Sequence, residues 1–339
     1  MEKEKKELAI IILNWNGKKV LEEFLPSVAA HSISEHTDLF VADNGSEDDS
    51  VAYVETTFPE VKIIKFAKNY GFAEGYNRAV AKTRYRYTLL LNSDVAVKGG
   101  WWQPLLDFME SHPDAGAVQP KIKSYKTPER FEYAGAAGGL IDRLGFPYCR
   151  GRVFDKTSVD RGQYDGEAVK IAWASGACLL VDTELYLKIG GLDPRFFAHM
   201  EEIDLCWRII SAGRSVYFVP DSEVFHLGGA SLNYGNPTKT YLNFRNNLLL
   251  LHKNMPAKRG KRKLLARRLV DTLAFLMYAL KGDVRNAGAV LRAHSDFKKM
   301  RKLYKDLPEK DIMKELPGSG RSILISDFFQ GLFKKEPSI

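Results

Sequence analysis

The chain has 339 residues, 45% hydrophobic and 12% aromatic, with 50 lysines and arginines against 42 acids and a formal charge of +8. Such a chain can bury a full core, which excludes a disordered or fibrous protein and suits one large domain with an appendage. The positive excess asks for an anionic partner: nucleic acid, a membrane surface or a phosphorylated substrate.

The first apolar run, residues 8–13, follows a mixed-charge start. It is too short for a signal peptide or a spanning helix, so the expectation is a buried strand in a cytoplasmic protein, working free or at the inner face of the cell membrane. Apolar runs then alternate with helix-like stretches: a helix to about Ala30, a run at 39–42, a helix through Val54, a run at 61–66, a helix at 73–82 and a run at 87–92. Alternation of this kind predicts a parallel sheet with crossover helices. In such sheets ligands lie at the carboxyl ends of the strands, and Asn14, Asp43 and Asp94 all follow apolar runs.

Residues 124–168 are rich in Gly, Tyr and charge with weak periodicity, and read as loops and short strands that cover the crevice and select the acceptor. Regular structure returns at 172–181, with helices at 183–189 and about 202–212 and strands at 216–219 and 224–225. Beyond Tyr241 the pattern is helical to about Leu307, and the end of the chain, with Pro308, Pro317, Gly318 and Gly320, reads as irregular. The resulting division is a catalytic unit at 1–237 (donor half to about 120), a helical extension at 238–307 and a tail at 308–339. Cys149, Cys178 and Cys206 are scattered and odd in number, which offers neither a disulfide framework nor a CxxC clamp.

Five clusters carry candidate chemistry. Asp43-Asn44-Gly45-Ser46 places a carboxylate where it can accept from a nucleobase imide or ribose hydroxyl, though the same residues make turns and caps. In the stretch 69–77, Gly71 and Gly75 allow close backbone approach and amides near a helix start can meet a diphosphate. It is neither a P-loop nor a GxGxxG fingerprint. Asn92-Ser93-Asp94 offers oxygens suited to magnesium or manganese, or simply a strand-ending turn. Glu201, Glu202 and Asp204 crowd one helix start, where acids suit the macrodipole and Asp204 can pair with Arg208; a carboxylate there can also serve as general base on a hydroxyl. His226 ends a strand before Leu227-Gly228-Gly229, as a packed histidine or as a ligand.

Taken in order, NWNG (14–17), DNGS (43–46), NYGFAEGYN (69–77), NSD (92–94), SGACLLV (175–181) and EEIDLCWR (201–208) resemble family 2 glycosyltransferases of the GT-A fold, most closely the rhamnosyltransferase-like and galactofuranosyltransferase-like branch. The resemblance spans about residues 8 to 230. It implies an α/β fold with a mixed, mainly parallel sheet flanked by helices and a helical C-terminal extension. It also implies an inverting transfer from dTDP-rhamnose, UDP-hexose or UDP-galactofuranose to a glycan or lipid-linked glycan acceptor in cell-surface polysaccharide synthesis. By this resemblance Asp43 binds the nucleobase, and Asn14, Asn69, Gly71, Gly75, Asn77 and Asn92 line the donor pocket. Asp94 and His226 hold Mn2+ or Mg2+, and Ser175 and Gly176 lie on the acceptor side. The family's short metal motif commonly has Asp at both ends, whereas this chain has Asn92 at the first. Its base is usually an Asp where this chain has Glu202, one methylene longer; Glu201 and Asp204 are the alternatives.

The basic run KRGKRKLLARR at 258–268 leads into an apolar stretch, and 258–280 has two open readings: a basic amphipathic helix on an anionic leaflet, or a helix packed on the catalytic unit. A nucleic-acid-binding protein is the competing class, but no helix-turn-helix, zinc-finger spacing or RNP-like motif supports it, so no nucleic-acid partner is expected. A scaffold that binds a nucleotide sugar without turnover is the third reading.

Overall fold

The computed structural model describes residues 6–153, 156–228 and 236–323. Strands β1 (Leu8–Asn14), β2 (Thr37–Asp43), β3 (Lys62–Lys65) and β4 (Tyr87–Leu91) alternate with helices α1 (Lys18–Ser32), α2 (Ser50–Thr57) and α3 (Phe72–Lys82). They pair in parallel in the order β3-β2-β1-β4. Every residue of β2 and β4 is buried, as near-continuous aliphatic strands must be when helices cover both sheet faces.

The chain continues through β5 (Val95–Val97), α4 (Gln103–Ser111) and β6 (Ala115–Ser124). The described residues between 125 and 168 then form loops and a separate antiparallel sheet of short strands, β7 (Gly139–Ile141), β8 (Pro147–Cys149), β9 (Arg152–Val153) and β10 (Lys156–Thr157). After β11 (Val169–Ile171), β12 (Cys178–Asp182), α5 (Thr183–Lys188) and α6 (Glu201–Ser211), strand β13 (Ser215–His226) completes a mixed main sheet in the order β11-β13-β6-β12-β4-β1-β2-β3, with β5 against β13. Strand β12 runs antiparallel to β4, with Cys178 opposite Leu91. Its beginning therefore meets the end of β4, and this brings the 175–177 turn into the crevice.

Two expected elements differ. The stretch expected at 172–181 is a strand only over Cys178–Asp182, because Ser175 gives its amide to Gln119 Oε1 and its hydroxyl to the Ala134 carbonyl instead of to a ladder. The strands expected at 216–219 and 224–225 are one, β13, whose register shifts between Val219 and Glu223. Pro220, which cannot donate to a ladder, lies in that interval.

Helices α7 (Pro237–Asn254), α8 (Ala257–Leu280) and α9 (Val284–Met300) follow. The extension is built into the catalytic unit: Leu248 to Leu251 of α7 join the core that holds Leu205 and Trp207 of α6. Residues 304–322 have no helix or strand, yet Ile312, Met313 and Leu316 are buried in that same core; the rest of the expected tail, 324–339, lies outside the described residues. All three cysteines are free and buried. Among the described residues no helix is long and apolar enough to cross a membrane.

Candidate active site

Asn14 ends β1, Asp43 ends β2, Asn92 to Asp94 follow β4, and His226 ends β13 in register with Val95. One sheet edge thus gathers them. At its first corner the Asn14 amide donates to Asp43 Oδ1 (3.1 Å), Ser46 Oγ (3.2 Å) and Ser50 Oγ (2.9 Å), and the Ser46 amide donates to Asp43 Oδ2 (3.0 Å). Gly45 makes this turn at φ +77, where an added Cβ would lie 2.5 Å from the Lys68 backbone, so only glycine fits.

Sequence reasoning passed over the side chain that joins this corner to the next. Asn44, buried, donates to Asn69 Oδ1 and the Gly71 carbonyl (both 3.0 Å) and accepts from the Tyr70 amide (3.0 Å). It pins the 69–71 loop to the end of β2. Gly71 caps α3 at φ +80 with open space above it. Gly75 instead serves packing, since a Cβ there would come within 2.9 Å of Leu13. Asn77 turns toward Leu192, donating to its carbonyl (2.8 Å) and accepting from its amide (2.9 Å) and the Tyr186 hydroxyl (2.6 Å).

At the second corner His226 Nε2 lies 3.1 Å from Asp94 Oδ1 and 3.4 Å from Asn92 Nδ2, while Nδ1 faces Glu132 Oε1 at 3.6 Å. Burial alone would push the imidazole down; the two carboxylates reverse this and carry it to about 10. Burial likewise raises Asp94, but the hydrogen bond and charge of His226, together with the Asp94 and Gly228 backbone amides, outweigh it and leave the carboxyl below its usual range. Glu132 carries no signal in the sequence, lying within the aperiodic 124–168 stretch. Gly228, at φ +64, leaves room for it: a Cβ there would lie 2.6 Å from Glu132 Oε1.

Asp94 and His226 fit a divalent ion. Their 3.1 Å separation suits neighbouring ligands on one ion, which at octahedral distances stand about 3 Å apart. His226 Nδ1 has no hydrogen-bond partner, and a carboxylate facing the far nitrogen of a ligating histidine is the usual supporting arrangement. Among the described residues no group of three His, Cys, Asp or Glu side chains could hold a metal, so two protein ligands would leave the other positions to substrate oxygens or water.

Across the crevice, Gly176 faces Glu202: a Cβ on it would lie 3.8 Å from Glu202 Cβ. The adjoining Ala177 carbonyl accepts from the Asn92 amide (3.0 Å), which ties this wall to the Asp94 corner. Glu202 Oε2 has no hydrogen-bond partner, and burial pushes its carboxyl up to about 7. Glu201, buried, also leaves Oε2 unpartnered, and burial followed by the neighbouring Glu202 charge raises it well above the carboxylate range.

Asp204 is spent elsewhere. Fully buried, it takes Arg208 (2.7 Å), Lys253 (2.8 Å) and the Asn254 amide (2.8 Å), locking α6 to α7. Asp204→Asn is therefore expected to destabilise the fold by about 3 kcal/mol, read by urea unfolding, while the folded fraction keeps its turnover number.

The loop before Glu201 is strained: Phe197, His199 and Met200 all have positive φ (68, 67 and 74), a conformation costing about 1–3 kcal/mol per residue. Asn246 of α7 holds it by donating to the carbonyls of Phe196 (3.0 Å), Ala198 (2.8 Å) and His199 (2.6 Å), and Arg245 adds a second bond to Phe196 (2.7 Å). Nothing in the sequence ties 245–246 to 196–199. Asn246→Ala is expected to cut kcat by about tenfold or more with little change in donor affinity, because misplacement of a reacting group lowers rate; steady-state kinetics separates the two.

A mixed, mainly parallel sheet flanked by helices, with Asn14, Asp43, Asp94 and His226 gathered at one edge, is the fold of a GT-A glycosyltransferase. In fold the chain is similar to GalNAc-T7 solved with UDP, GalNAc and Mn2+ (TM-score 0.56, 15% identity, 75% of this chain and 49% of that one). It is likewise similar to mannosyltransferase PcManGT from Pyrobaculum calidifontis with GDP-Man and Mn2+ (0.52, 14%, 98% and 89%). The family model "Glycosyl transferase family 2" matches residues 9–164. N-acetylglucosaminyl-diphospho-decaprenol L-rhamnosyltransferase of Mycobacterium tuberculosis is 27% identical over 237 residues, 65% of this chain and 75% of that protein. Rhamnosyltransferase WbbL of Escherichia coli is 26% identical over 46% of this chain and 61% of its own length. The chain is a glycosyltransferase; its residues 9–164 match the family 2 model, and the relatives it is similar to include rhamnosyltransferases.

Proposed function

We propose that this glycosyltransferase moves a deoxyhexose such as rhamnose from a nucleoside-diphosphate donor to a hydroxyl of a lipid-linked glycan, with inversion at the anomeric carbon. The observation that carries it is the pairing, across one crevice, of the Asp94–His226 corner with a Glu202 carboxyl whose Oε2 has no hydrogen-bond partner and which is raised to about 7. In this reading Asp43 and Asn14 receive the base and ribose, the 69–71 loop and the Gly71 cap receive the diphosphate, and Ser175 and Gly176 border the acceptor. Glu202 takes the acceptor proton as the oxygen bonds to the anomeric carbon, and the bond to the diphosphate breaks on the opposite face with its electron pair leaving on oxygen. Glu201 lies beside the base and Asp204 anchors its helix. Asp94 and His226 would hold Mn2+ or Mg2+, which when bound neutralises charge on the departing diphosphate.

The named relatives support a rhamnosyl donor and a diphospho-polyprenol acceptor. The test is transfer from a panel of dTDP- and UDP-sugars to an N-acetylglucosaminyl-diphospho-polyprenol, with the anomeric configuration of the product read by NMR. An inverted rhamnosyl product is expected; retention, or transfer only to soluble sugars, would remove the proposal.

A further inference from the structure

Helix α8 is inside out. The residues it buries are Gly260, Arg267 and Asp271, and the last two pair with each other (3.2 Å), with Asp271 also taking His294 of α9 (3.0 Å) and Arg267 donating to Asn247 of α7. Its outer face carries Leu265, Leu269, Leu273 and Leu280, 63%, 69%, 67% and 89% exposed, with Leu276 and Met277 alongside. Spacings of three and four put these on one stripe. A water-facing helix places its polar side outward; a leucine face this open marks an interaction surface.

The stripe adjoins a cavity of about 630 Å³ between α7, α8 and α9, which Leu265 also lines. Its wall is largely apolar, with Leu248, Leu264 and Phe297. Its rim is cationic. Lys258, Lys261, Arg262, Arg268 and Lys298 all line it, and among the described residues none of them forms an ion pair, whereas nearby Arg259 is paired with Asp311. Uncompensated cations round an apolar cleft, continuous with a leucine stripe, match a surface that is anionic at the headgroup and apolar beneath.

We propose that this face of α8 and the adjoining cleft dock the protein on an anionic lipid leaflet, with headgroup phosphates on the cationic rim and the leucines among the acyl chains. A peripheral face of this kind needs no spanning helix. Through α7, which holds the loop before Glu201, the docked face is braced to the acceptor side of the crevice. The docking is independent of the transfer chemistry and is tested apart from it.

The test is co-sedimentation of the full chain with phosphatidylcholine vesicles, with and without phosphatidylglycerol, at low and high salt. The wild type is expected to sediment only with phosphatidylglycerol and less at high salt. Lys261→Glu/Arg262→Glu and Leu269→Asp/Leu273→Asp should each bind about tenfold more weakly or worse, with unchanged thermal response to nucleoside diphosphates. Folded wild type that ignores anionic vesicles, or binding that survives both double variants, overturns the proposal. So does a dimer that Leu269→Asp/Leu273→Asp converts to monomer without any vesicle binding, which makes the stripe a self-interface. Inorganic diphosphate binding at the rim without vesicle binding likewise overturns it, as a free-phosphate site.

Discussion

Glu202→Gln is expected to lower kcat by roughly 10²–10⁴-fold, the usual worth of a general base, and to leave nucleotide binding intact. The pH profile carries the sharper signature. With its carboxyl near 7, Glu202 works only when ionised, so the wild-type rate should climb about tenfold per pH unit below 7 and level off above it. Stability runs the other way. A carboxyl raised on folding favours the protonated state, so that contribution is present at low pH and lost as pH rises from the ordinary value of 4.5 through about 7. Glutamine keeps the neutral shape at every pH, and Glu202→Gln should match or exceed the wild type at pH 8 by roughly 1–3 kcal/mol. An inactive variant more stable than its parent separates a catalytic carboxylate from a structural one. Asp204→Asn should show the opposite pattern, less stable and still active.

Asp94→Asn is expected to have the largest effect on the donor side. The amide keeps the size but not the charge, leaving His226 facing Glu132 alone. Loss of several kcal/mol of charge stabilisation on a leaving diphosphate corresponds to about 10³-fold or more in kcat. Rates over a manganese titration check it: the wild type should saturate, and the variant should stay near baseline at every concentration. His226→Ala should move the same way, since it removes the second proposed ligand.

The donor half of the fold was readable because its strands are continuous aliphatic runs and its helices alternate with them; β1 to β4 fall within a few residues of where the pattern puts them. Polar residues at strand ends then pointed to one edge, and the structure brings Asn14, Asp43, Asp94 and His226 to it. The acceptor side was less legible. Glu132 sits in an aperiodic loop, and its approach to His226 depends on pairings of β6 and β13 that no local signal encodes. Asn77 and Gly75 looked like ligand-facing residues in a glycine-rich motif but are used for internal packing, a distinction set by which side of α3 meets the sheet. Asn246 and Asp204 gain their roles from the docking of α7 on α6, between segments some fifty residues apart. Helix α8 was open between two readings because its sequence is basic and apolar at once; the structure buries its Arg267 and Asp271 and leaves Leu265, Leu269, Leu273, Leu276 and Leu280 exposed.

The central claim is that the Asp43 and Asp94 corners form one metal-assisted nucleotide-sugar site, and the most direct measurement is thermal unfolding across a panel of nucleoside diphosphates and nucleotide sugars, with and without manganese, for wild type and Asp94→Asn. A ligand at a hundred times its Kd stabilises the native state by about 2.7 kcal/mol. A manganese-dependent rise in Tm for one base, strongest with its sugar conjugate and absent in Asp94→Asn, is the result the account predicts. No rise with any nucleotide from folded wild-type protein, or an equal rise in Asp94→Asn, would contradict it.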